Sequence, residues 1–501
     1  MPINTATNPA TGYIAIDQGT TSSRAILFDV HFAIIHIAQQ PFDQHYPKNG
    51  WVEHDPEAIW QTVQAVTQEA LSAAHSKGLQ VKHIGIVNQR ETTLVWHRET
   101  GKCVYPAIVW QDRRTRDICK GLKPHEQMVQ SKTGLRLDPY FSATKISWIL
   151  DNLPGAREQA EQGELLFGTV DSFLIWRLTE GRVHATDVTN ASRTCLFNIN
   201  TTNWDPALLS LFNVPASMLP TVKDCADDFG ITTHFDAPLH ISGVAGDQQA
   251  ALIGQGCVQP GNVKATYGTG CFALVNTGTQ CDINQHNLLT TLAYRIKGQT
   301  HYAVEGSIFI AGAAVQWLRD GIQLITHAAD SEQIASDVDD EHGLVVVPAF
   351  TGLGAPYWEP SARGAIFGIS RATTAAHIVR ATLESVCYQT NDLLEAMSSG
   401  DIRPSVLKVD GGMVTNSWFC QHLANILNTQ VVRPVVMETT ALGAALLAAI
   451  QAGQLSGLDA IQNANPTECT FNPEGNDEQR QQRLAQWKQA VSATLLMAQH
   501  A

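Results

Sequence analysis

Two short turns rich in glycine and hydroxyl groups lie about half the chain apart, and each is predicted to join two apolar strands. The first falls within residues 13–29 and the second within residues 262–276. Similar units at this separation favour duplication of one folding unit over a tandem array of short repeats. The chain has 501 residues, which is more than one hydrophobic core usually covers, so two or more domains are expected. Each half would then contribute one turn.

The second turn has the composition of a phosphate-binding loop. Gly268 and Gly270 let the backbone approach a ligand closely, and the turn amides and the Thr269 hydroxyl can point together at an anion. The spacing through Ala273 also fits the G-x-G-x-x-A pattern of dinucleotide-binding turns, but that pattern needs a helix directly after it. A strand is predicted here instead, which disfavours a dinucleotide site. An ordinary β-hairpin remains an alternative for this turn taken alone.

The first turn is the same kind of loop, but it also carries one acidic and one positively charged side chain. An apolar strand delivers Asp17 to a turn in which Thr20, Thr21 and Ser22 supply hydroxyl donors and Arg24 a positive charge. These groups suit a polyphosphate. The carboxylate suits the Mg²⁺ that accompanies a polyphosphate, because Mg²⁺ prefers oxygen ligands. A hydroxyl-rich hairpin is the alternative, although a hairpin alone requires none of these side chains.

A third glycine turn lies within residues 407–416 and precedes an apolar-periodic run at residues 418–427. The pattern predicts strand, turn and helix. Gly411 and Gly412 have no side chains to cover the backbone there, so a flat group such as a base or ribose could lie against it. Close packing of the strand on the helix explains the two glycines equally well.

Composition and charge disfavour several classes of partner. Hydrophobic residues make up 44% of the chain and charged residues 16%, which indicates a globular protein. The formal net charge of -14 argues against nucleic acid or an anionic membrane as a partner, because both require a positive surface. Small phosphate ligands are not excluded, since local amides and a few cations can hold them.

Targeting signals and cysteine spacing point to a cytoplasmic protein. The first ten residues carry no basic residue and no apolar run, so no secretory leader is expected. The longest apolar stretch, residues 441–450, is half the length that a bilayer requires, so no membrane span is expected. The 10 cysteines show no C-x-x-C spacing, which predicts reduced, mostly packed thiols rather than disulfides or a metal site.

Asp247 is the candidate general base. It follows a predicted strand at residues 241–246 and precedes a run that reads as the start of a helix. An alcohol is a poor nucleophile at neutral pH, so phosphoryl transfer to a hydroxyl needs a carboxylate that takes up the proton. Gln248 could bond a further hydroxyl. The alternative role of Asp247 is to cap the helix N-terminus, and the two roles are compatible.

Arg90 and Glu91 form an adjacent pair of opposite charges after a predicted strand at residues 84–87. Neighbouring side chains in a strand point to opposite sides, so a surface pair of little consequence is one interpretation. At a strand end within a cleft, the pair instead offers one donor and one acceptor to neighbouring hydroxyls of a polyol. Tyr140, in a proline-containing loop, offers a phenol to such a ligand.

Residues 17–21, 267–270 and 410–412 resemble, in order and spacing, the two phosphate loops and the adenosine loop of the actin-like ATPase fold. The segments between them are similar to the FGGY carbohydrate kinases, in particular to the members that act on glycerol. The similarity runs from about Tyr13 to Ala449. The segments that carry it are residues 51–56, 88–93, 107–111, 138–142, 246–251 and 348–358.

The resemblance implies an α/β fold with two ribonuclease H-like domains around a central cleft. Residues 11–252 would form the N-terminal domain, residues 253–455 the C-terminal domain and residues 456–501 a helical tail. The resemblance also implies phosphorylation of glycerol by ATP to sn-glycerol 3-phosphate, with Mg²⁺ as cofactor. A homodimer or homotetramer is implied as well.

The same resemblance implies roles for individual residues. Those expected to contact glycerol carry polar or aromatic side chains near the cleft; they are Arg90, Glu91, Trp110, Tyr140, Asp247, Gln248 and Phe272. Trp110 follows an apolar run, so a core position is its alternative. Those expected to hold ATP or its metal lie in the loops or on short helices after them; they are Asp17, Thr20, Thr21, Ser22, Arg24, Thr269, Gly312, Gln316, Gly412 and Asn416.

Two regions depart from the pattern of the family. Some members carry a glycine-rich, arginine-containing loop that binds a sugar bisphosphate inhibitor, whereas residues 228–240 contain no Arg or Lys and are expected to bind one poorly. Other members have a phosphorylated histidine in this loop, which makes His234 a candidate, with an ordinary surface histidine as the alternative. The docking segment for a sugar-transport regulatory protein corresponds to residues 473–483, where Gln479 replaces an acid, so that partner is not expected.

Two alternative functions remain open from the sequence. A member of the same family could phosphorylate another polyol or a ketopentose. A protein of the actin-like fold could also be a nucleotide switch or assembly protein without catalysis.

Overall fold

The computed structural model describes residues 10–281, 283, 288–339, 343–397 and 404–499. The prediction about a secretory leader concerns residues that, except for Ala10, lie outside these ranges.

The strands of the N-terminal half are β1 (Ala10–Gln18), β2 (Ser22–Asp29), β3 (Ile34–Pro41), β4 (Glu53–His54), β5 (Leu79–Asn88), β6 (Leu94–His97), β7 (Ala107–Ile108), β8 (Leu165–Gly168), β9 (Ala185–Asp187), β10 (Phe197–Asn198), β11 (Asn203–Trp204), β12 (Thr221–Lys223), β13 (Ile231–Thr232) and β14 (Leu239–Gly246). Its α-helices are α1 (Pro56–Ser76), α2 (Arg116–Gly121), α3 (Glu126–Thr133), α4 (Ser142–Asn152), α5 (Ala156–Glu161), α6 (Val170–Leu178), α7 (Val188–Ala191), α8 (Pro206–Leu211) and α9 (Asp247–Gly254).

The first sheet has the strand order β13-β14-β5-β1-β2-β3. β1, β2 and β3 form an antiparallel meander, whereas β5 and β14 extend the sheet in parallel with β1. Helix α1 supplies the crossover to β5 and starts with an Asp55 cap and Pro56 in its first turn. Its apolar face packs against the strands of this sheet.

The C-terminal half continues with a second set of elements. Its strands are β15 (Val263–Tyr267), β16 (Cys271–Gly278), β17 (Leu289–Ile296), β18 (Gln299–Ile308), β19 (Val345–Val347), β20 (Ala365–Phe367), β21 (Val406–Asp410), β22 (Gln430–Pro434) and β23 (Thr467–Phe471). Its α-helices are α10 (Gly312–Gln316), α11 (Asp330–Asp337), α12 (Ala375–Met397), α13 (Ser417–Leu427), α14 (Thr439–Gln451), α15 (Leu458–Ile461) and α16 (Asp477–Ala498).

The second sheet repeats the topology of the first. Its order is β17-β18-β16-β15-β21-β22-β23, in which β18, β16 and β15 form an antiparallel meander and β21 and β22 follow in parallel. The same five-strand pattern, β3-β2-β1-β5-β14, stands in the first sheet. The duplication predicted from the two hairpins is therefore confirmed, as is the α/β fold with a sheet in each half.

Helix α14 joins the two halves. It is apolar on almost every side and packs on β14, β5 and α9 of the N-terminal half. The approach requires glycine, because a Cβ added at Gly443 would overlap the carbonyl oxygen of Ala250, and one at Gly85 that of Ala444. A single apolar core cluster includes residues of β1, α9 and α14, so the core is continuous between the halves.

Several local predictions are confirmed at the level of secondary structure. The apolar run after the third glycine turn forms α13. The predicted helical tail is helical at α15 and α16, but its residues 467–471 form β23, which pairs with β22 at the edge of the second sheet. Trp487 of α16 stacks on Tyr388 of α12 at 5.6 Å between ring centroids. The cysteines are buried or half-buried, which agrees with the prediction of packed thiols. Within the described ranges, no helix combines the length and apolarity needed to cross a bilayer.

Candidate active site

Three parallel strands of the first sheet end at one edge and bring the predicted glycerol residues together. Gln18 of β1 pairs with Asn88 of β5, and Asn88 pairs in turn with Gly246 of β14. The carboxyl ends of parallel strands meet at the same sheet edge, so the turns that follow them are neighbours. The first phosphate turn, residues 90–91 and Asp247 therefore lie side by side.

The second sheet brings its two glycine turns together in the same way. β15 and β21 are parallel, with Thr266 opposite Asp410, so the turns at residues 268–270 and 411–412 are adjacent. Gly411 has a φ of +93°, and a Cβ there would overlap the backbone of Tyr267. Glycine is therefore needed at position 411 by both its φ and its packing.

Backbone hydrogen bonds connect the second phosphate turn to α10. The Gly312 N–H donates to the Gly268 carbonyl at 2.9 Å, and the Ala313 N–H donates to the Thr269 carbonyl at 3.0 Å. The turn thus caps the helix, and a Cβ at Gly312 would press on the Gly268 carbonyl. The structure places Thr269 and Gly312 next to each other, and Thr269 is exposed.

The other three residues predicted to lie along the nucleotide differ in their exposure to solvent. Gln316 and Gly412 are exposed, and a Cβ at Gly412 would meet nothing within 4 Å, which leaves room for a flat ligand. Asn416 has a structural role already, because its Oδ1 caps α13 by accepting a 2.8 Å hydrogen bond from the Phe419 N–H. Nucleotide contact by these residues stays a prediction.

The first phosphate turn is tied to the C-terminal half through Arg24. The Arg24 guanidinium forms ion pairs with Asp17 on its own hairpin and, at 2.6 Å, with Glu438 just before α14. The predicted phosphate cation thus also neutralises two carboxylates. Thr20 Oγ1 accepts a 3.0 Å hydrogen bond from Trp110 Nε1.

The remaining hydroxyls of the first phosphate turn are accessible to different degrees. Ser22 Oγ accepts a 3.0 Å hydrogen bond from the Gln39 side chain and is half-buried. Thr21 is exposed. Binding of phosphate by these hydroxyls stays a prediction.

The donor set at this edge fits a magnesium ion. Asp17 Oδ2 binds Arg24, whereas its Oδ1 makes no hydrogen bond with any residue in the described ranges. A carboxylate oxygen is the hard donor that Mg²⁺ prefers. No group of three or more metal-binding side chains occurs among the described residues.

Asp247 is the first residue of α9, and Gly246 occupies the cap position. The cap position therefore lies one residue earlier than this alternative required, but Asp247 Oδ1 still accepts a 2.7 Å hydrogen bond from the free Gln248 N–H. Its Oδ1 lies 3.0 Å from Arg90 Nε, and its side chain is 34% exposed at the sheet edge. Burial of the carboxyl group raises its pKa, although Arg90 and Lys264 oppose the shift. A raised pKa suits a carboxylate that must accept a proton.

Arg90 and Glu91 are buried, at 3% and 1% exposure, so the interpretation as a surface pair is wrong. Arg90 Nη1 binds Glu305 at 2.5 Å, and Arg193 Nε donates to Glu91 Oε1 at 2.6 Å. Glu91 has a φ of +60°, an uncommon backbone conformation for a glutamate. Such strained positions cluster at functional sites.

Trp110 and Tyr140 form an aromatic pair beside the first phosphate turn. Their ring centroids are 5.7 Å apart in an edge-to-face arrangement, and both side chains are half-buried. Trp110 is therefore not a core residue. Lys145 Nζ donates to the Tyr140 carbonyl at 2.6 Å, which fixes the loop. Phe272 is half-buried on β16, and among the described residues it makes no ring contact with this pair.

Three charged residues of the site were missed from the sequence. Glu305, Arg193 and Lys264 are all buried. A charge within an apolar strand is the signal that could have found Glu305 and Lys264, because unpaired charges are rarely buried. Arg193 lies in a polar run between short elements, where the sequence carries no such signal.

Lys264 contacts the site from the C-terminal half. Its Nζ donates to Gln248 Oε1 at 2.5 Å and to Thr266 Oγ1 at 3.0 Å. Burial lowers the pKa of Lys264, while Asp410 and Asp247 oppose this shift. The acceptor oxygen of Gln248 is therefore engaged by a lysine, and its amide nitrogen is the group left to face a ligand.

The loop at residues 228–240 lies away from this edge. His234 is exposed and bonds Gln64, and its ring packs on Trp60 at 5.2 Å between centroids. These contacts are those of a surface histidine, and phosphorylation of His234 stays a hypothesis.

The repeated topology and the polar strand ends define a class of protein, and comparison with known families agrees. Residues 12–254 match the N-terminal domain and residues 263–452 the C-terminal domain of the FGGY family of carbohydrate kinases. The chain belongs to this family.

Two relatives and one solved structure show which members of the family this chain is similar to. Glycerol kinase of Rhodospirillum centenum is 56% identical over 485 residues, covering 96% of this chain and 97% of its own. Glycerol kinase 1 of Pseudomonas aeruginosa is 56% identical over 482 residues, covering 95% and 98%. The crystal structure of Plasmodium falciparum glycerol kinase with ADP has a TM-score of 0.93 and 36% identity, covering 97% of this chain and 98% of that one.

Proposed function

We propose that this protein transfers the γ-phosphoryl group of ATP to a terminal hydroxyl of glycerol and forms sn-glycerol 3-phosphate. The observation that carries the proposal is the Asp247 carboxylate, one-third exposed at the edge where three parallel strands end and 3.0 Å from Arg90. High identity to glycerol kinases over nearly the whole chain supports glycerol as the substrate.

The residues of the first sheet edge would bind and activate glycerol. Asp247 would take the proton of the attacking hydroxyl as the new bond to phosphorus forms. Arg90 and Glu91 would donate to and accept from neighbouring hydroxyls, with Tyr140 as a further hydrogen-bonding group. The amide nitrogen of Gln248 would donate to a hydroxyl, since its oxygen is held by Lys264. Trp110 and Phe272 would cover the carbon side of the ligand.

ATP would lie between the two hairpins. Thr20, Thr21, Ser22 and Arg24 of the first turn and Thr269 of the second would hold its phosphates. The nucleoside end would lie along Gly312, Gln316, Gly412 and Asn416. Mg²⁺, with Asp17 as its protein ligand, would neutralise charge on the β- and γ-phosphates. The two halves would exclude water, which otherwise competes with glycerol for the phosphoryl group.

The organisation of the protein belongs to the same proposal. We place the N-terminal domain at residues 11–252, the C-terminal domain at residues 253–455 and the tail at residues 456–501. We propose a cytoplasmic homodimer or homotetramer, and size-exclusion chromatography with light scattering distinguishes the two assemblies.

A panel of acceptors tests the substrate. Glycerol, xylulose, ribulose and other polyols are each supplied with ATP and Mg²⁺, and ADP release is measured. We expect kcat/KM for glycerol to exceed that for the ketopentoses by at least about 100-fold, because polar groups left unpaired by a wrong substrate discriminate strongly. Equal turnover of a ketopentose would contradict the substrate assignment. ATP binding without transfer to any acceptor would indicate a nucleotide switch.

The pH dependence tests the assigned base. Asp247 must be ionised to accept a proton, and burial raises its pKa above the ordinary aspartate value. Therefore kcat/KM for glycerol is expected to fall as pH drops through this raised pKa. Initial rates between pH 4 and pH 8, on enzyme shown to remain folded, measure it. A rate that stays constant down to pH 4 would contradict Asp247 as the base.

A further inference from the structure

Five charged side chains alternate in sign across the candidate site. Asp247 contacts Arg90, Arg90 contacts Glu305, Glu305 contacts Arg193, and Arg193 contacts Glu91. We call this set the charge chain. Its two ends are the proposed base and one of the proposed glycerol residues, and its three inner members are at most 3% exposed.

Glu305 is the centre of the charge chain and comes from the other half of the protein. It lies on β18 of the second sheet, whereas Arg90 and Arg193 belong to the N-terminal half. Its Oε2 binds Arg90 Nη1 at 2.5 Å, and its Oε1 accepts from Arg90 Nη2 at 3.2 Å and from Arg193 Nη2 at 3.0 Å. One carboxylate thus orients two arginines with three hydrogen bonds.

The protonation state of Glu305 suits this role. Burial alone would raise its pKa, but Arg193 and Arg90 together lower it to about 2. The carboxylate is therefore ionised at every pH at which an enzyme of this kind is assayed. Around Asp247, the charged neighbours are Arg90 and Lys264, which lower its pKa, and Glu305, which raises it.

Stability alone does not explain the charge chain. Buried ion pairs contribute little net stability relative to apolar residues of the same volume, because desolvation offsets their attraction. In addition, Arg193 Nη1 is buried and has no hydrogen-bond partner within the described ranges. A cluster that served only to hold the fold together would satisfy its buried donors.

We propose that Glu305 is a positioning residue through which the C-terminal half holds Arg90 and, by way of Arg193, Glu91 in the geometry that binds the substrate. The inference rests on the proposed function, because it assigns these groups to glycerol. It implies that the glycerol site is incomplete in the N-terminal half alone.

Glu305→Gln in the full-length enzyme tests the proposal. The change keeps the shape but removes the charge that orients both arginines, so we expect the glycerol KM to rise about 10- to 100-fold, with the ATP KM within about twofold of wild type. A merely structural role would lower Tm and leave the glycerol KM of the folded variant at the wild-type value.

Glu384→Gln is the matched control. Glu384 is also buried and is paired with Arg380 at 2.9 Å on α12, outside the charge chain. We expect this variant to lose thermal stability while keeping the glycerol KM of wild type.

Arg193→Lys covers the case in which Glu305→Gln does not fold. Lysine keeps the charge but cannot span Glu91 and Glu305 together, so the glycerol KM is expected to rise about tenfold. A wild-type glycerol KM in either folded variant would overturn the proposal. Wild-type enzyme in the same assay separates the two proposals, because absence of transfer to glycerol there contradicts the proposed function instead.

Discussion

Replacement of Asp247 by asparagine is expected to lower kcat for glycerol phosphorylation by about 10²- to 10⁴-fold, the contribution typical of a general base. The amide has almost the same shape as the carboxylate, but it cannot take the proton of the attacking hydroxyl. Its oxygen can still accept from Arg90, which lies 3.0 Å from the carboxylate, so the packing of the site is preserved. Steady-state kinetics with saturating ATP measure the effect.

ATP affinity separates this outcome from a damaged fold. Asp247→Asn should bind ATP within about twofold of wild type, because the proposed phosphate contacts come from the two hairpins. Asp459→Asn is the matched control, since Asp459 is an exposed carboxylate on α15, and its kcat should equal that of wild type. A kcat for Asp247→Asn within tenfold of wild type would remove Asp247 from the role of base.

Gly443→Ala is the second substitution with a large expected effect. A Cβ at this position of α14 would overlap the carbonyl oxygen of Ala250 on α9, and the overlap involves backbone that cannot rotate away. Alanine has a higher helix propensity than glycine by about 1 kcal/mol, but overpacking costs about 1–3 kcal/mol, occasionally more. Packing is expected to dominate, so the thermal unfolding midpoint should fall.

The same substitution should reduce activity, because Asp247 begins the helix that would be displaced. A shift of about 1 Å at a catalytic group can cost on the order of 10²-fold in rate. Gly121→Ala is the control, since a Cβ at Gly121 meets nothing within 4 Å. An unfolding midpoint for Gly443→Ala at or above that of wild type would mean that α14 can move away from α9 without loss of stability.

Much of the local architecture could be predicted from the sequence because its signals are local. Alternating apolar strands on either side of glycine predicted the hairpins around residues 18–22 and 267–271, and both form. The break at Gly246 correctly placed Asp247 at the start of a helix, where its carboxylate accepts from the free Gln248 N–H although Gly246 holds the cap position. The cap was predicted one residue too late because a sequence pattern locates a helix end only to within one or two residues.

The ion-pair partners of the predicted site residues could not be predicted from local sequence signals. Arg90 and Glu305 are 215 positions apart, and Arg193 and Glu91 are 102 apart. No spacing rule connects residues at such separations, since sheet register and domain packing bring them together. For the same reason Arg24 was predicted as a phosphate ligand, and its ion pair with Glu438 of the other half was not foreseen.

Local sequence was thus sufficient for the strands, the glycine turns and the acid at each strand end, because backbone conformation and apolar alternation depend on neighbouring residues. The three-dimensional arrangement alone brought Asp247, Arg90 and Glu91 to one sheet edge and joined them to Glu305. Parallel pairing of β1, β5 and β14 and the close contact of α14 with the N-terminal half are non-local. Burial then gave these charges their pairing and shifted their pKa values, as desolvation depends on the whole fold.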